Sequence, residues 1–214
     1  MKMMNKKVLA SAVAASAIAL SAVAPSASAA EVSASVGAAN MYYWRGMDLG
    51  AGDAAISGDL SVSAGGFYGG LWGSSGDAAL GTEYDIYAGY GAEMGDFRFD
   101  VSAWSYVYPE TDTNPGDLME VVASVGFGPV DFTYYDNIEG DEDYWYATAA
   151  VTMGDFGLLY GQHDFTDGTE YSHVDLSYAF NDNLSFTVGV PVEDEGGPND
   201  NAKFIVSLSL PIEF

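Results

Sequence analysis

Residues 203–214 read KFIVSLSLPIEF and alternate between two kinds of side chain. Every even position from Phe204 to Phe214 is apolar, and every odd position except Ile205 is polar or proline. A period of two indicates a β-strand with one face in an apolar medium and the other in a polar one. An exposed apolar edge at this place would favour aggregation, so we expect the strand to be paired on both sides.

Turn signals divide the rest of the chain at a regular spacing. Tight signals such as Gly65-Gly66 and Gly95-Asp96 alternate with longer polar stretches such as DNIEGDED (136–143) and EDEGGPNDN (193–201). This punctuation predicts one all-β domain over residues 30–214, with about twelve strands. The predicted strands are 32–46, 55–64, 67–75, 82–94, 97–108, 118–127, 130–136, 144–153, 156–164, 170–180, 184–192 and 202–214.

An even number of antiparallel strands, joined alternately by short turns and long polar loops, is typical of a transmembrane β-barrel. Closing the barrel pairs every backbone group, which the hydrocarbon core of a membrane requires. We therefore predict a single closed antiparallel barrel with short periplasmic turns and longer acidic extracellular loops. The alternative is a soluble β-sandwich or lipocalin-like barrel, whose one small interior would have to hold all the apolar faces.

Aromatic residues are concentrated at both ends of the predicted strands. Phe97, Phe127, Phe156 and Phe180 lie next to tight turns, whereas a set rich in tyrosine and tryptophan flanks the long loops. Two aromatic girdles fit the two interfaces of a membrane. The loop-side set is Tyr42, Tyr43, Trp44, Tyr106, Tyr108, Tyr134, Tyr135, Tyr144, Trp145 and Tyr146.

The first 29 residues have the pattern of a secretory signal peptide. A basic start, MKMMNKK, precedes an Ala-rich apolar core, and Ala27-x-Ala29 offers a small-residue cleavage site. Export followed by barrel assembly predicts the outer membrane of a Gram-negative bacterium as the location. Membrane lipid, lipopolysaccharide and the outer-membrane assembly machinery are then the expected partners.

The charge of the chain is strongly one-sided. After the predicted signal peptide only Arg45, Arg98 and Lys203 are basic, against 31 acidic residues. Nucleic acid is excluded as a partner because no basic surface could displace its counterions. The chain has no cysteine, which excludes disulfides and thiol chemistry.

The N-terminal third resembles the TorF-like porins, a proteobacterial family of conserved outer-membrane proteins of unknown function. The resemblance is carried by SVGAANMYYWRGMDLG (35–50), ISGDLSVSAGGFYGGLWGSS (56–75) and TEYDIYAGY (82–90). It departs from the family at Met47-Asp48, where a serine is common. The resemblance implies an outer-membrane barrel with a porin role and supplies no substrate. It also makes Phe214 similar to the terminal aromatic signal that the assembly machinery reads.

Strand parity places many charged residues opposite the apolar faces, towards the lumen. They either form ion pairs that fill a narrow barrel, or line a water-filled channel whose net acidity favours cations and small solutes. We expect Arg45 to be held by Glu83 and Asp85. The candidate lumen-lining residues are Arg45, Asp59, Glu83, Asp85, Arg98, Asp100, Glu120, Asp131, His173, Asp175 and Lys203.

The two histidines, His163 and His173, are the residues to test for catalysis or metal binding. A nucleophile would need a base beside it, and Ser172 has the wrong strand parity relative to His173. The acidic loops lack the spacing of calcium loops. We therefore predict a porin without cofactor or metal, with a non-conducting structural or adhesive barrel and, last, an outer-membrane enzyme as alternatives.

Overall fold

The computed structural model describes residues 30–141, 143–194 and 201–213. One short helical turn covers residues Pro109–Thr111. In the described part of the chain, no helix has the length and hydropathy of a membrane span. The strands are β1 Glu31–Ala39, β2 Tyr43–Trp44, β3 Met47–Asp48, β4 Ala55–Ala64, β5 Phe67–Asp77, β6 Gly81–Met94, β7 Phe97–Val107, β8 Met119–Phe127, β9 Val130–Glu139, β10 Trp145–Met153, β11 Phe156–Asp164, β12 Glu170–Ala179, β13 Leu184–Asp194 and β14 Lys203–Ile212.

Twelve of these strands form a closed antiparallel barrel in which neighbours in sequence are neighbours in space. The barrel closes where β1 pairs with β14, from Ala34 opposite Ile212 to Ala39 opposite Ser207. Because β13 pairs with the other edge of β14, the last strand has partners on both sides, as its alternation predicts. The predicted fold is confirmed. Phe214 and the predicted signal peptide, residues 1–29, lie outside the described residues.

The outer surface of the barrel is apolar. On β14, Phe204, Leu208, Leu210 and Ile212 are exposed, while Ile205 on the opposite face is buried. The same alternation runs through the other barrel strands, where most large exposed side chains are aliphatic or aromatic. A continuous apolar exterior of this kind belongs in lipid. The soluble alternative is therefore wrong, because it would have turned these faces inward.

The two aromatic girdles are only partly as predicted. At the tight-turn end, Phe97, Phe127, Phe156 and Phe180 are all exposed on the outer surface. At the loop end, Tyr134 is exposed and stacks on Trp145 with ring centroids 5.9 Å apart. The prediction is wrong for most of the loop-side tyrosines, which fill the lumen instead. These inward residues are Tyr42, Tyr43, Tyr106, Tyr108, Tyr135, Tyr144 and Tyr146.

The predicted first strand, 32–46, is also wrong at its C-terminal end. β1 ends at Ala39, which pairs directly with Ala55 at the start of β4, so residues 40–54 leave the wall as an excursion. Asn40 makes the exit possible: its side chain donates 2.9 Å to the Phe204 carbonyl and accepts 2.7 Å from the Val206 amide. An amide side chain thus satisfies the backbone of β14 where the strand departs.

Candidate functional site

The excursion folds into the barrel as a small hairpin, β2 and β3, joined by Arg45-Gly46. Both turn residues have positive φ, 47° at Arg45 and 92° at Gly46. This is the pattern of a type I′ turn, which suits a two-residue hairpin connection. Residues 41–49, hereafter the inward hairpin, are packed in the lumen: Tyr43 is 1% exposed, Arg45 2% and Met47 4%.

Arg45 is bound by a single carboxylate in a two-pronged arrangement. Its Nη1 donates 2.8 Å to Oε1 of Glu120 and its Nη2 donates 2.6 Å to Oε2. Glu120 is 1% exposed and also accepts 2.6 Å from the Tyr106 hydroxyl. The prediction that Glu83 and Asp85 hold Arg45 is therefore wrong, because the hairpin carries the guanidinium across the lumen to β8.

Aromatic rings enclose the same guanidinium. Its central carbon lies 4.3 Å from the ring centroid of Tyr135, 4.6 Å from Trp44 and 5.0 Å from Tyr146. Arginine suits such a position because its planar, weakly hydrated group can stack on rings and hydrogen-bond in its plane. The ion pair between Arg45 and Glu120 is therefore removed from water, and aromatic rings enclose its guanidinium.

A closed ring of hydrogen bonds ties His163 to Arg45. Arg45 Nη1 donates 3.1 Å to the Tyr144 hydroxyl, which lies 2.9 Å from His163 Nδ1. His163 Nε2 lies 2.7 Å from the carbonyl oxygen of Arg45. Because a carbonyl only accepts, Nε2 must donate, and a neutral His163 then accepts the Tyr144 proton at Nδ1. The turn is therefore held through its side chain and its backbone together.

Two tyrosines of the inward hairpin bind carboxylates on other strands. The Tyr42 hydroxyl donates to Glu83 on β6, and the Tyr43 hydroxyl donates 2.6 Å to Asp175 on β12. Asp175 lies 3.0 Å from His173 Nδ1, so that nitrogen carries a proton and donates. Together with Glu120 on β8, side chains from three barrel strands hold the hairpin.

Glycines make room for the hairpin and its partners. A Cβ atom at Gly189 would overlap the Tyr43 hydroxyl, and one at Gly161 would overlap His173 and Tyr146. At Gly46 itself a Cβ would lie 2.5 Å from the His173 ring. The close fit shows that the lumen wall is shaped to receive this segment.

The tight-turn half of the lumen carries the remaining candidate residues in smaller pairs. Asp59 accepts 2.7 Å from the Tyr87 hydroxyl, and Asp100 accepts 2.8 and 2.9 Å from the Tyr68 hydroxyl. Arg98 pairs with Asp131 at 2.6 Å near the mouth, where the two side chains are 25% and 41% exposed.

Lys203 differs from the two arginines. It stands at the loop end of β14 and donates 2.8 Å to the carbonyl oxygen of Asn201 in the preceding connection. Its side chain is half-buried and belongs to the rim of the barrel. Arg45 is buried in the loop half of the lumen, Arg98 pairs with Asp131 near the opposite mouth, and Lys203 lies on the loop-end rim.

Carboxylates exceed cations around the inward hairpin. Glu83, Glu120, Asp85 and Asp175 are all buried there, and Arg45 is the cation that faces them. Among the described buried polar atoms, Asp85 Oδ1, Asp175 Oδ2 and Arg45 Nε have no hydrogen-bond partner. These four acidic residues, hereafter the socket, therefore keep hydrogen-bond acceptor capacity that the hairpin does not use.

Both histidines are occupied by the network. His173 meets Asp175 at Nδ1 and the Tyr146 hydroxyl at Nε2, 2.8 Å away, while His163 is engaged by Tyr144 and Arg45. The pairing of β12 with β13 shifts its register between Ser172 and His173, and both of these adjacent side chains are buried. Within the described residues no three His, Cys, Asp or Glu side chains are placed to hold a metal ion.

Sequence reasoning missed the tyrosines as lumen residues. A signal for them exists: Tyr87 lies against Gly70 and Tyr68 against Gly89, each on a neighbouring strand, where a Cβ would collide with the ring. A glycine paired with a tyrosine on the neighbouring strand therefore indicates that the tyrosine ring packs over the glycine inside the lumen.

Two solved structures resemble the barrel. A KdgM porin aligns with 86% of this chain and 99% of its own, at a TM-score of 0.50 and 12% identity. A KdgM porin in complex with disordered oligogalacturonate aligns over the same shares, at a TM-score of 0.48 and 11% identity. At these identities the likeness concerns the fold alone. No curated protein matches the sequence.

A family model matches residues 23–199, which include the inward hairpin and all three carboxylates that bind it. The stretch that resembles the TorF-like porins, 33–90, falls inside this match, and that resemblance stays a prediction. Since the match covers most of the chain, the protein belongs to the Gcw_chp family, described as bacterial proteins of unknown function.

Proposed function

We propose that the chain is an outer-membrane barrel of the porin class, whose acidic lumen passes small cationic solutes in preference to anions. The observation that carries the proposal is the division of the closed barrel into an apolar exterior and a carboxylate-lined interior. Such a barrel is suited to insertion in a lipid bilayer, where exported proteins of this architecture form channels. The fold it shares with a KdgM porin is consistent with this role.

The charge of the lumen supports cation preference. The inward carboxylates Asp59 and Asp100 have no basic partner among their hydrogen bonds, whereas Arg45 and Arg98 are each neutralised by an acid. A passing anion would therefore meet uncompensated negative charge, and a cation would be attracted. Transport is favoured over catalysis because the nitrogens of both histidines already have partners.

Selectivity in a planar bilayer tests the proposal. With purified protein in a KCl gradient, we expect a reversal potential that shows potassium passing more readily than chloride. Asp59→Asn should reduce this preference, because it removes a lumen carboxylate. Asp53→Asn, a matched change in the exposed part of the excursion, should leave it unchanged. Chloride preference in the unmodified protein would contradict the proposal.

A second candidate, a non-conducting structural barrel, is favoured by one observation. Arg45 and Tyr43 are almost completely buried inside the loop half of the lumen, where a permanent channel would keep them wet. This candidate predicts folded protein that carries no current in any variant. The same bilayer recordings therefore separate the two functions.

A further inference from the structure

We propose that the inward hairpin is a displaceable gate, which closes the lumen at the loop end and is latched by the ion pair between Arg45 and Glu120. The inference rests on the proposed porin function and adds its regulation. It makes the observed arrangement the closed state of the channel.

The wall of the barrel does not need the hairpin. Ala39 and Ala55 are paired, so the pairing of β1 with β4 does not depend on the position of residues 40–54. β2 and β3 pair with each other and with no barrel strand. Backbone bonds from the excursion to the rest of the chain lie at its base, at Asn40–Val206 and Leu49–Ala78. The hairpin could therefore leave without breaking the ladder of the barrel.

The tip is held by side chains. Arg45 binds Glu120, Tyr42 binds Glu83 and Tyr43 binds Asp175, so each contact is a polar pair that water could replace. The backbone carbonyls of Arg45 and Gly46 are bound by His163 and by the Tyr171 hydroxyl. A segment fixed in this way has two discrete positions, docked and released, which is what a gate requires.

Arg45 makes the latch specific. It is the cation of the hairpin, and it enters a socket with the carboxylates Glu83, Asp85, Glu120 and Asp175. When the hairpin is docked, Arg45 offsets part of this negative charge. When the hairpin is released, these carboxyl groups lose that cation and face the open lumen, so release exposes the acidic groups that attract cations.

The structure also supplies a hairpin-free variant. Because Ala39 and Ala55 face each other, residues 40–54 can be replaced by Asn-Gly, the preferred two-residue connection of an antiparallel pair. Two further variants act on the latch alone. Arg45→Ala leaves Glu120 without its partner in the docked state, and Arg45→Ala with Glu120→Gln removes both charges. Asp53→Ala removes an exposed charge from the same excursion and serves as the control.

Single-channel recording of all five proteins, with heat-modifiable gel mobility to verify folding, decides the matter. We expect the unmodified protein and Asp53→Ala to open rarely and the hairpin-free variant to stay open. Loss of a buried charge partner should raise the open fraction of Arg45→Ala by about a hundredfold. The double variant should also open more often than the unmodified protein.

Three other results would overturn the gate. If the unmodified protein is as steadily open as the hairpin-free variant, solutes pass the hairpin, so the gate is wrong while the porin function stands. If hairpin-free barrels conduct but neither latch variant opens more often than Asp53→Ala, Arg45 and Glu120 are not the latch. If folded hairpin-free barrels carry no current, the porin function fails and the gate fails with it.

Discussion

Arg45 adopts a left-handed backbone conformation, φ 47°, that costs a residue with a side chain about 1–2 kcal/mol. Glycine would fit this turn position without that cost. The arginine is found where its guanidinium reaches Glu120 and four aromatic rings. Its contacts must therefore outweigh the strain of the turn.

Removing Arg45 should destabilise the folded barrel. Arg45→Ala leaves Glu120 buried without a counter-charge, which we expect to lower the free energy of unfolding by about 3–5 kcal/mol. Arg98→Ala is the control: its ion pair is partly exposed, so the loss should be about 1 kcal/mol or less. Urea titration of the protein in lipid vesicles measures both. Equal, small losses for the two variants would show that Arg45 lies in water.

Gly189 tests the fit of Tyr43 against the lumen wall. Gly189→Ala places a methyl group where the Tyr43 hydroxyl lies, and we expect a loss of about 1–3 kcal/mol from the resulting overlap. In a Tyr43→Ala background the same change should be nearly neutral, because the obstructing ring is gone. Unfolding of the four proteins in a double-mutant cycle gives the coupling. Strict additivity would mean that Tyr43 does not occupy this site.

The partner of Arg45 could not be predicted from the sequence. Parity places Glu83, Asp85 and Glu120 on inward faces of β6 and β8, but it cannot say which of them a distant arginine reaches. That choice depends on the direction in which the excursion folds. The facing of the loop-side tyrosines was mispredicted for a related reason. An aromatic residue near a strand end is compatible both with an outer membrane girdle and with a filled lumen.

The strands were predictable from the sequence because the turn signals and the alternation of apolar residues indicate the same strand boundaries. Each tight turn expected from glycine or asparagine connects a confirmed antiparallel pair, as at Gly95-Asp96 between β6 and β7. The excursion was not predictable, because MYYWRGMD (41–48) continues the apolar character of β1. Its overlooked signals are Asn40, which ends the pairing, and Arg45-Gly46, which forms a two-residue turn.

The last strand carries a prediction about assembly. In the sequence, Phe214 continues the alternation of apolar residues that includes Phe204, Leu208 and Ile212, and it resembles the terminal aromatic signal of outer-membrane proteins. We expect Phe214→Ala to leave export intact and to leave unfolded protein in the periplasm. Phe204→Ala, on the same face at the other end of β14, should assemble normally. Heat-modifiable protein in outer-membrane fractions is the readout, and full recovery of Phe214→Ala would refute the signal.

The whole molecule has one loop end and one turn end, and its orientation is testable. A cysteine at Asp112, in the exposed connection after β7, should react with an impermeant maleimide on intact cells. A cysteine at Asp182, in the turn between β12 and β13, should react only after the outer membrane is opened. The absence of native cysteines keeps the background low. The reverse pattern would invert the assignment of extracellular loops and periplasmic turns.

The first long connection folds into the barrel and is proposed to close it, and the reactivity of engineered thiols on this connection shows directly where it lies. Met47 is buried in the lumen, whereas Ala54, at the base of the same excursion, is exposed. In folded protein we predict that Ala54→Cys reacts rapidly with a maleimide, and that Met47→Cys reacts much more slowly until the barrel is unfolded. Equal rates for the two cysteines in the folded barrel would show that the connection lies outside the lumen and that the inward hairpin does not exist.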